Sequence, residues 1–377
     1  MENKYLNCFD KKHCNGCGLC TLECPVNAIK MIEDDEGFYY PYIDKEKCIN
    51  CGKCKKICSN YNDSKFISNA YMAINKNAEE LETSSSGGVF IILAHFVIER
   101  KGVVFGVRYG KNLKVEHDYV ESIEGCKKFQ GSKYVRSDIG DTYKRVKEFL
   151  KQGRWVLFTG TPCQCQALKS YLNEDYERLI LCDIICHSNP SQKLFDMYVK
   201  ELEIKHNKKI VNIYFRSKEN GWKNQTPIIE YEDGTKEEEN TYFKSFVNEL
   251  IGRPSCHSCQ FATTKRISDF TIGDFWGVEN VLAEISNNDK GISLITVNSE
   301  KGENILKQIS NKLILKEVNI EQAFKYNHNS NVPMHIQRKK FFKDIRKEGF
   351  IESSNRNLKM TFSRKVKRKL INFLNKK

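Results

Sequence analysis

Two copies of one cysteine motif near the amino terminus constrain this chain more than any other feature. The spacing C-x2-C-x2-C-x3-C occurs twice within the first sixty residues, and a proline follows the last cysteine of the first copy only. Four thiolates at this spacing converge on a cubane 4Fe-4S cluster, and in a duplicated motif the fourth cysteine of each copy binds the other cluster. The predicted ligands are Cys14, Cys17, Cys20 and Cys58 for one cluster, and Cys48, Cys51, Cys54 and Cys24 for the other.

The glycines of the same loops agree with this prediction. Gly16, Gly18 and Gly52 let the backbone wrap closely around a cluster and leave N–H groups that can bond to its sulfides. Zinc sites also use Cys-x2-Cys pairs, but zinc does not need four cysteines per copy at this spacing. Cys8 lies outside both motifs and is interpreted as a free thiol. Residues 1–60 are therefore predicted to be a small bacterial-type dicluster ferredoxin domain that transfers single electrons.

The cysteine count and the hydropathy pattern indicate a cellular location. The chain has 16 cysteines in 377 residues, no charged-then-apolar leader, and a longest apolar stretch, at 89–98, of about half the length of a membrane span. In a reducing cytoplasm, so many cysteines favour metal binding or redox chemistry over disulfides. We therefore expect a cytoplasmic protein.

Beyond residue 67 the pattern changes to alternating helices and strands. The predicted strands are 102–107, 155–158 and 179–185, and the predicted helices are 141–152, 162–172 and 190–204. This alternation predicts an α/β (α+β) body with a mixed, partly parallel sheet. We assign residues 67–150 to the N-terminal part of the body and 151–345 to its C-terminal part.

A second set of cysteines follows the predicted strands of the body. Two neighbouring strands lead into Cys163 and Cys186, so a parallel pair would bring both thiols to the carboxyl edge of the sheet, where open α/β sheets bind ligands. Cys256 and Cys259 supply a further Cys-x2-Cys pair. The four thiolates suffice for a third cubane cluster, with a structural zinc site as the alternative.

Two other cysteines of this region are predicted to pack in the core. Cys182 precedes Cys186 by four residues, which is about 13 Å along a strand, so the two thiols cannot easily share one cluster. Cys165 follows Cys163 by two residues on a predicted helix, where its side chain points elsewhere. Cys165 stays open as a substitute ligand.

Several sequence strings of the body together resemble the coenzyme F420 hydrogenase/dehydrogenase beta subunit family. They are SSSGGVF at 84–90, GSKYV at 131–135, VLFTGTPCQ at 156–164, CHSNPS at 186–191, and the Cys256–Cys259 pair followed by SDFTIGDFWG at 268–277. The similarity covers about residues 70–300, and an N-terminal dicluster ferredoxin fused to this body looks like a known arrangement in the family. Ser188 and Asn189 stand where members often carry glycine after the Cys-His pair.

The resemblance implies an FAD-binding domain with its own 4Fe-4S cluster. It implies cluster ligands at Cys163, Cys186, Cys256 and Cys259, and flavin-site residues at Ser86, Gly87, Gly88, Lys133, Tyr134, Thr159, Gly160 and Thr161. A Ser/Gly loop before a helix is also a plausible phosphate cradle, although serine is an ordinary N-cap residue. Lys133 could pair with a pyrophosphate or with the reduced flavin, or be one more solvated lysine.

The function implied by the resemblance is that of an FAD-dependent iron–sulfur oxidoreductase. Electrons from reduced ferredoxin or another redox protein subunit would pass through the clusters to FAD and on to a hydride acceptor such as coenzyme F420. Such a transfer needs no acid or base, so no catalytic residue is predicted. The alternative is a non-catalytic electron-relay subunit of a larger redox complex.

The C-terminal residues 346–377 are predicted to be a basic amphipathic tail. The chain has a formal net charge of +13, and nine Lys and Arg residues but no acid lie in residues 356–377. Apolar residues at near-helical spacing make docking on a membrane surface or on a partner a better interpretation than nucleic-acid binding. A solvated chain end is the other alternative.

Overall fold

The computed structural model describes residues 11–59, 68–282, 285 and 289–359. Strands form where β-branched and aromatic residues alternate with other types, because such side chains pack well on a pleated surface. The strands of the described residues are β1 (Ile29–Glu33), β2 (Tyr39–Ile43), β3 (Asn69–Asn75), β4 (Val103–Tyr109), β5 (Val115–Val120), β6 (Val156–Gly160), β7 (Leu179–Ile184), β8 (Ile210–Tyr214), β9 (Ile228–Tyr231), β10 (Lys236–Glu238), β11 (Phe270–Asp274), β12 (Ser293–Val297) and β13 (Leu313–Val318).

The helices between these strands begin at clear local signals. Several begin at a capping side chain, for example Ser191, whose hydroxyl accepts a hydrogen bond from the Leu194 N–H. The helices are α1 (Leu19–Leu22), α2 (Lys53–Ser59), α3 (Ala78–Glu82), α4 (Val89–Ile98), α5 (Ile123–Cys126), α6 (Thr142–Lys151), α7 (Pro162–Leu172), α8 (Gln192–His206), α9 (Thr241–Val247), α10 (Val278–Val281), α11 (Glu300–Ile309), α12 (Ile320–Phe324), α13 (Arg338–Glu348) and α14 (Phe350–Leu358).

The body is built on an eight-stranded sheet. Its strand order is β13-β3-β12-β11-β7-β6-β4-β5. The central strands β4, β6, β7 and β11 are parallel, whereas the outer pairings are antiparallel. The prediction of an α/β body with a mixed, partly parallel sheet is confirmed, and the strand and helix bounds differ from the predicted ones by one or two residues.

Helices cover both faces of this sheet. The apolar helix α4 lies in a core with residues of β6, β7, β12 and α11. Helices α6 and α7 pack on the opposite face, against β4, β6 and β7. Because α4 is apolar nearly all round, its burial explains the longest apolar stretch of the sequence. Within the described residues, no helix has the length and apolar composition needed to cross a membrane.

A smaller sheet, β10-β9-β8, forms a second lobe with its own core. Helices α8, α9, α13 and α14 pack together there, and Phe341 and Phe350 are completely buried. Residues 346–359 of the segment assigned to the tail thus lie mostly in helices packed on the body. Residues 360–377 lie outside the described residues, and so do Cys8 and residues 60–67.

The N-terminal cysteine motifs surround an antiparallel hairpin of β1 and β2. Helices α1 and α2, which follow the two cysteine loops, contact each other. Leu19 of α1 is buried in the same core as α6 and α7 of the body. The domain is therefore packed against the carboxyl edge of the large sheet.

Candidate metal centre

The two parallel strands β6 and β7 place Cys163 and Cys186 at one edge of the sheet. The two strands are in register from Val156 opposite Leu179 to Gly160 opposite Asp183. Cys163 lies in the first turn of α7, directly after β6, and Cys186 lies two residues after β7. The predicted meeting of these two cysteines at the carboxyl edge is confirmed by the strand pairing.

A capping box fixes the chain just before Cys163. The Thr161 N–H and hydroxyl both donate to the Gln164 side-chain oxygen at 3.0 Å, and the Gln164 N–H donates to the Thr161 carbonyl at 2.9 Å. Pro162 occupies the first helical position, which its ring favours. The Thr161 hydroxyl lies 3.2 Å from the Cys163 sulfur. The thiol is thus held at a rigid helix N-terminus.

The Cys-x2-Cys pair reaches the same place from a distant part of the sequence. Cys256 lies in the short 3-10 helix Pro254–Ser258, and Cys259 follows it directly. Both line one cavity together with Cys163 and Cys186. The four body cysteines that were grouped from the sequence therefore line the same cavity, although within the described residues no three or more His, Cys, Asp or Glu side chains are arranged so that they could hold a metal ion.

Buried thiols of this kind are costly to ionise without a positive charge nearby. Burial raises the pKa of Cys256 to about 12 and that of Cys186 well above the usual range. Burial also raises the pKa of Cys259, while backbone N–H groups and the Arg266 guanidinium offset part of that rise. Four thiols that share a cavity, backbone N–H donors and a cation fit a thiolate-bound cluster.

The remaining two cysteines of this region pack in the hydrophobic core, as expected. Cys165 is fully buried among residues of α6, α7 and β6. Cys182, on β7, is fully buried on the other face of the sheet beneath α4. No disulfide occurs among the fifteen cysteines of the described residues.

The cysteines predicted for the first N-terminal cluster also lie together. Burial raises the pKa of Cys20, and the neighbouring charges that raise it further are those of Cys17, Cys14, Cys58 and Cys54. Cys58, from the second motif, thus lies near Cys20 of the first motif. The crossing of ligands between the two motifs stays a prediction, because Cys54, which is assigned to the other cluster, also lies near Cys20.

The second N-terminal set is more open to solvent. Burial and the charges of Cys48 and Cys51 raise the pKa of Cys54. Cys51 is exposed, and Cys48 and Cys54 are half-buried. The Cys24 sulfur accepts a hydrogen bond from the Ala28 N–H at 3.2 Å.

Two arginines join the first N-terminal set to the body set, and no sequence motif points to them. Arg136 donates a 2.7 Å bond to the Gly16 carbonyl and lies within hydrogen-bonding reach of Cys163. Arg253, three residues before Cys256, donates a 2.7 Å bond to the Cys14 carbonyl. Only their position in the fold reveals this role.

A buried acid between two histidines lies beside the body cysteines and was also not anticipated. Glu249 is 3% exposed, and its carboxylate lies 2.7 Å from the His187 ring and 3.7 Å from the His257 ring. Each histidine directly follows a body cysteine, Cys186 or Cys256. The carboxylate therefore lies between the two loops that carry these cysteines.

The Ser/Gly loop before α4 owes its glycines to close packing. A side chain at Gly87 would meet the Ala73 carbonyl oxygen at 2.3 Å, and the Gly87 N–H already donates to the Ser293 hydroxyl at 2.8 Å. Gly88 caps α4 with a φ of 77°, a conformation that favours glycine. The Ser86 hydroxyl donates to the Ile292 carbonyl at 3.0 Å. These packing contacts explain why glycine and serine occupy these positions of the loop.

Lys133 and Tyr134 lie next to that loop. The Ser132 N–H donates to the Ser85 hydroxyl at 3.1 Å, which joins the two segments. Burial lowers the pKa of Lys133 to about 7, and its ammonium contacts the Lys128 and Gln130 carbonyls at 3.1 and 2.9 Å. The structure thus places a partly desolvated cation beside the Ser/Gly loop.

The Tyr134 ring packs 4.6 Å from the Phe246 ring, measured between centroids. The Thr159 hydroxyl donates to the Phe105 carbonyl at 2.9 Å. Thr159 and Gly160 end β6, and Thr161 is the N-cap of α7, which carries Cys163. The predicted flavin-site residues therefore divide into one group around the Ser/Gly loop and another beside the body cysteines.

Comparison with known proteins supports both parts of the chain. Residues 13–60 match the 4Fe-4S dicluster domain. Residues 153–323 match the family of the coenzyme F420 hydrogenase/dehydrogenase beta subunit, over the C terminus of that subunit. These matches confirm the resemblance inferred from the sequence and the dicluster ferredoxin domain.

Individual relatives match parts of the chain. The uncharacterized protein MJ1349 of Methanocaldococcus jannaschii is 26% identical over 204 residues, 45% of this chain and 56% of that protein. The uncharacterized ferredoxin MJ0722 of the same organism is 41% identical over 49 residues, 13% of this chain and 62% of that protein. The chain thus spans less than two thirds of the length of each of these relatives.

A chain in a solved structure of the F420-reducing [NiFe] hydrogenase complex from Methanosarcina barkeri is also similar. It is 17% identical, the match covers 78% of this chain and 91% of that chain, and the TM-score is 0.47.

Proposed function

The chain carries a 4Fe-4S dicluster domain and is related to the beta subunit of coenzyme F420 hydrogenase/dehydrogenase, and on this premise we propose that it is an iron–sulfur flavoprotein oxidoreductase. It would receive electrons from reduced ferredoxin or a partner subunit and deliver them as a hydride to an acceptor such as coenzyme F420. One observation carries the proposal: Arg253, three residues before Cys256, and Arg136 donate bonds of 2.7 Å to the Cys14 and Gly16 carbonyls, which hold the first cysteine loop of the ferredoxin domain against the body.

The exposure of the cysteine sets supports the proposal that a redox partner approaches the second N-terminal set. The second N-terminal set has no buried cysteine, the first set has Cys14 buried and Cys58 exposed, and the body set has Cys163 buried. Bound 4Fe-4S clusters would supply one-electron redox centres at these three places. The chain buries Cys14 and Cys163 and leaves Cys51 and Cys58 within reach of a partner.

The residues of the body set fit a cluster. Cys163, Cys186, Cys256 and Cys259 would be its ligands, and zinc remains the competing occupant. The buried Nη1 atoms of Arg136 and Arg253 have no hydrogen-bond partner in the described part of the chain. A buried N–H without an acceptor costs about 1–3 kcal/mol, which the sulfur atoms of a bound cluster would offset.

The proposed flavin would lie where the Ser/Gly loop approaches Lys133. Bound FAD would supply the step from single electrons to a hydride, which clusters alone do not perform. Lys133 would hold an anionic part of the flavin, and Tyr134 and Lys218 would border it. Lys218 supports this assignment because it binds the Ser86 carbonyl at 2.9 Å and burial lowers its pKa to about 8.

The surface around the exposed cysteine set suits an acidic redox partner. Five exposed lysines lie in the segment that carries the second motif, together with the exposed side chain of Ile49. They are Lys45, Lys47, Lys53, Lys55 and Lys56. Such a rim of cations steers a negatively charged protein toward the site.

The second candidate, an electron relay without a flavin, is favoured by the packing of the Ser/Gly loop. Gly87 and Gly88 have structural reasons to be glycine, and the Gly87 N–H is already engaged by Ser293. A loop of this kind can exist without a phosphate to bind. The relay would keep the three cysteine sets and lack the hydride chemistry.

An acceptor assay distinguishes the two candidates. Anaerobically purified chain is supplied with reduced methyl viologen, and reduction of coenzyme F420 is followed by its absorbance. The oxidoreductase predicts turnover that depends on bound FAD and is lost in Lys133→Met. Reduction of the protein's iron centres by viologen, with neither flavin nor acceptor turnover, would establish the relay instead.

A further inference from the structure

Two arginine side chains occupy the space between the first N-terminal cysteine set and the body set. The Arg136 guanidinium contacts the Gly16 carbonyl at 2.7 Å, and its charge interacts with that of Cys163. The Arg253 guanidinium contacts the Cys14 carbonyl at 2.7 Å and the Cys14 sulfur at 3.8 Å, and its charge also reaches Cys256. Each cation therefore touches the loop of the first set and lies close to the body set.

Both guanidinium groups are shielded from solvent. Arg253 is 1% exposed, and its guanidinium lies over the Tyr40 ring at 4.4 Å from the centroid. A side chain on Gly16 would meet the Arg253 Nη1 atom at 2.9 Å, so that glycine leaves room for the cation. The Nη1 atom of Arg136 is buried as well, and its backbone N–H is tied to the Pro190 carbonyl at 2.9 Å. The surroundings thus fix both side chains in place.

Within the described residues, no carboxylate forms a hydrogen bond or an ion pair with either cation. The oxygen partners of the two guanidiniums there are the backbone carbonyls of Gly16, Cys14 and Tyr39. By contrast, the buried Arg216 makes an ion pair of 2.6 Å with Asp274. A buried cation that lacks a carboxylate is costly unless another negative charge faces it.

The cysteines beside the two arginines can supply that negative charge. The thiols of Cys17 and Cys163 both act on the Arg136 charge, and Cys14 contacts Arg253. Cysteines carry a negative charge when they bind a metal centre as thiolates. The two cations are therefore placed to face the negative charge of bound centres.

We propose that Arg136 and Arg253 are positioning residues that raise the reduction potentials of the centres held by the first N-terminal set and by the body set, an inference that rests on the proposed function. Reduction adds one electron, hence one negative charge, to a centre bound by thiolates. A fixed cation at close range in an interior shielded from water stabilises the reduced form relative to the oxidised one. No proton is exchanged in this step, because arginine stays protonated.

The two arginines would also divide this effect unequally. Arg253 touches Cys14, so its charge acts first on the N-terminal set. The Arg136 N–H bonds to the Pro190 carbonyl, four residues after Cys186, and its charge acts on Cys163, so we assign its effect first to the body set. Replacing each one alone therefore predicts a different distribution of potential shifts.

The test is a redox titration, followed by electron paramagnetic resonance, of full-length protein loaded anaerobically with iron and sulfide. Arg136→Gln and Arg253→Gln remove the charge and keep a polar side chain. We expect each to lower the midpoint potential of its nearer centre by an amount equivalent to at least a tenfold change in the equilibrium constant, about 59 mV for a one-electron couple. Arg145→Gln is the matched control, because Arg145 is exposed and pairs with Asp141 at 2.9 Å.

The iron content of each variant is measured beside its potentials. A Gln variant with full iron and wild-type potentials overturns the inference. If a Gln variant loses iron, the potentials are compared instead in the Lys variant of that arginine and in the Gln variant of the other arginine. A Lys variant keeps the charge and should stay near the wild-type potential, so a fall as large as that in Gln contradicts an electrostatic role.

The same experiment separates this inference from the proposed function. A wild-type protein without a centre at the body set would sink the proposed function. If the wild-type protein has that centre and its midpoint potential is the same in both Gln variants, only the inference is overturned.

Discussion

The Arg253 Nε atom donates a 2.7 Å hydrogen bond to the carbonyl oxygen of Cys14, 239 residues earlier in the chain. This bond joins the first cysteine loop to the segment that carries Cys256. Together with the bond from Arg136 to Gly16, it connects the ferredoxin domain to the carboxyl edge of the sheet. A domain held in this way has a fixed position relative to the body cysteines, which electron transfer over a short distance requires.

Breaking a bidentate ion pair at the same contact should lower the stability of the protein. Glu36 of the ferredoxin domain pairs with the Arg338 guanidinium through two bonds of 2.6 and 3.0 Å, and Arg338 is 5% exposed. Glu36→Gln should lower the free energy of unfolding by about 1–3 kcal/mol, the value of a hydrogen bond to a charged group. Thermal unfolding followed by cluster absorbance measures the change.

Asp35→Asn is the control for this prediction. Asp35 pairs with Arg346 at 2.7 Å, but both side chains are mostly exposed. Exposed pairs contribute little to stability. Equal losses in the two variants would contradict a special role for the Arg338 contact.

The body cysteines predict a selective loss of iron. Cys163→Ser removes one proposed ligand and should cost about four iron atoms per chain, the content of one cubane. Cys165→Ser changes a neighbour that is buried in the hydrophobic core and should keep the iron. Iron is determined by a colorimetric assay on anaerobic protein. If Cys165→Ser loses iron and Cys163→Ser keeps it, Cys165 is the cluster ligand and Cys163 is not.

Lys133 predicts a pH dependence of flavin binding. Burial lowers its pKa to about 7 in the flavin-free chain, whereas a bound anion would favour the ammonium and raise that pKa. Between pH 7 and the raised pKa, binding must therefore take up a proton, so FAD affinity should fall as the pH rises and level off below pH 7. Quenching of flavin fluorescence measures the affinity across this range.

Variants of two lysines separate this effect from others. Lys133→Met should bind FAD more weakly and without the fall above pH 7. Lys128→Met changes an exposed side chain of the same segment and should keep the wild-type profile. An unchanged profile in Lys133→Met would remove Lys133 from the flavin site.

The lysines around the exposed cysteine set predict salt-dependent association. Lys53→Glu with Lys56→Glu should lower the association rate with an acidic ferredoxin about tenfold or more at low salt, since steering depends on complementary charge. The difference should shrink as the salt concentration rises, because ions screen exposed charges. Stopped-flow reduction of the chain by ferredoxin gives the rate.

Lys144→Glu with Lys151→Glu, on the exposed side of α6, is the charge-matched control. It alters the net charge by the same amount away from the cysteine set. If both double variants slow association equally, the effect is one of net charge and the proposed docking surface is wrong.

Local sequence patterns predicted the parts of this site that depend on local structure. Cys163 and Cys186 each follow a strand, and parallel strands end at one edge, so their meeting could be inferred without the structure. Cys58 could be grouped with the first motif because cluster geometry dictates the crossing. These inferences needed only spacing and sheet geometry.

The remaining features depend on contacts between distant segments. Arg136 and Arg253 are unremarkable in a chain with 61 Lys and Arg residues, and only folding brings them to Gly16 and Cys14. The structural reason for Gly87 could not be inferred from the sequence either, because it is the carbonyl of Ala73 on a neighbouring strand that leaves no room for a side chain there. Such close approaches leave no periodic signal in the sequence.

The central claim is tested most directly by the iron and released flavin per chain in anaerobically purified protein. The account predicts about twelve iron atoms, from three cubanes, together with one FAD. About eight iron atoms and no flavin would contradict it, because the body cysteines would then bind no cluster and the chain could not form a hydride.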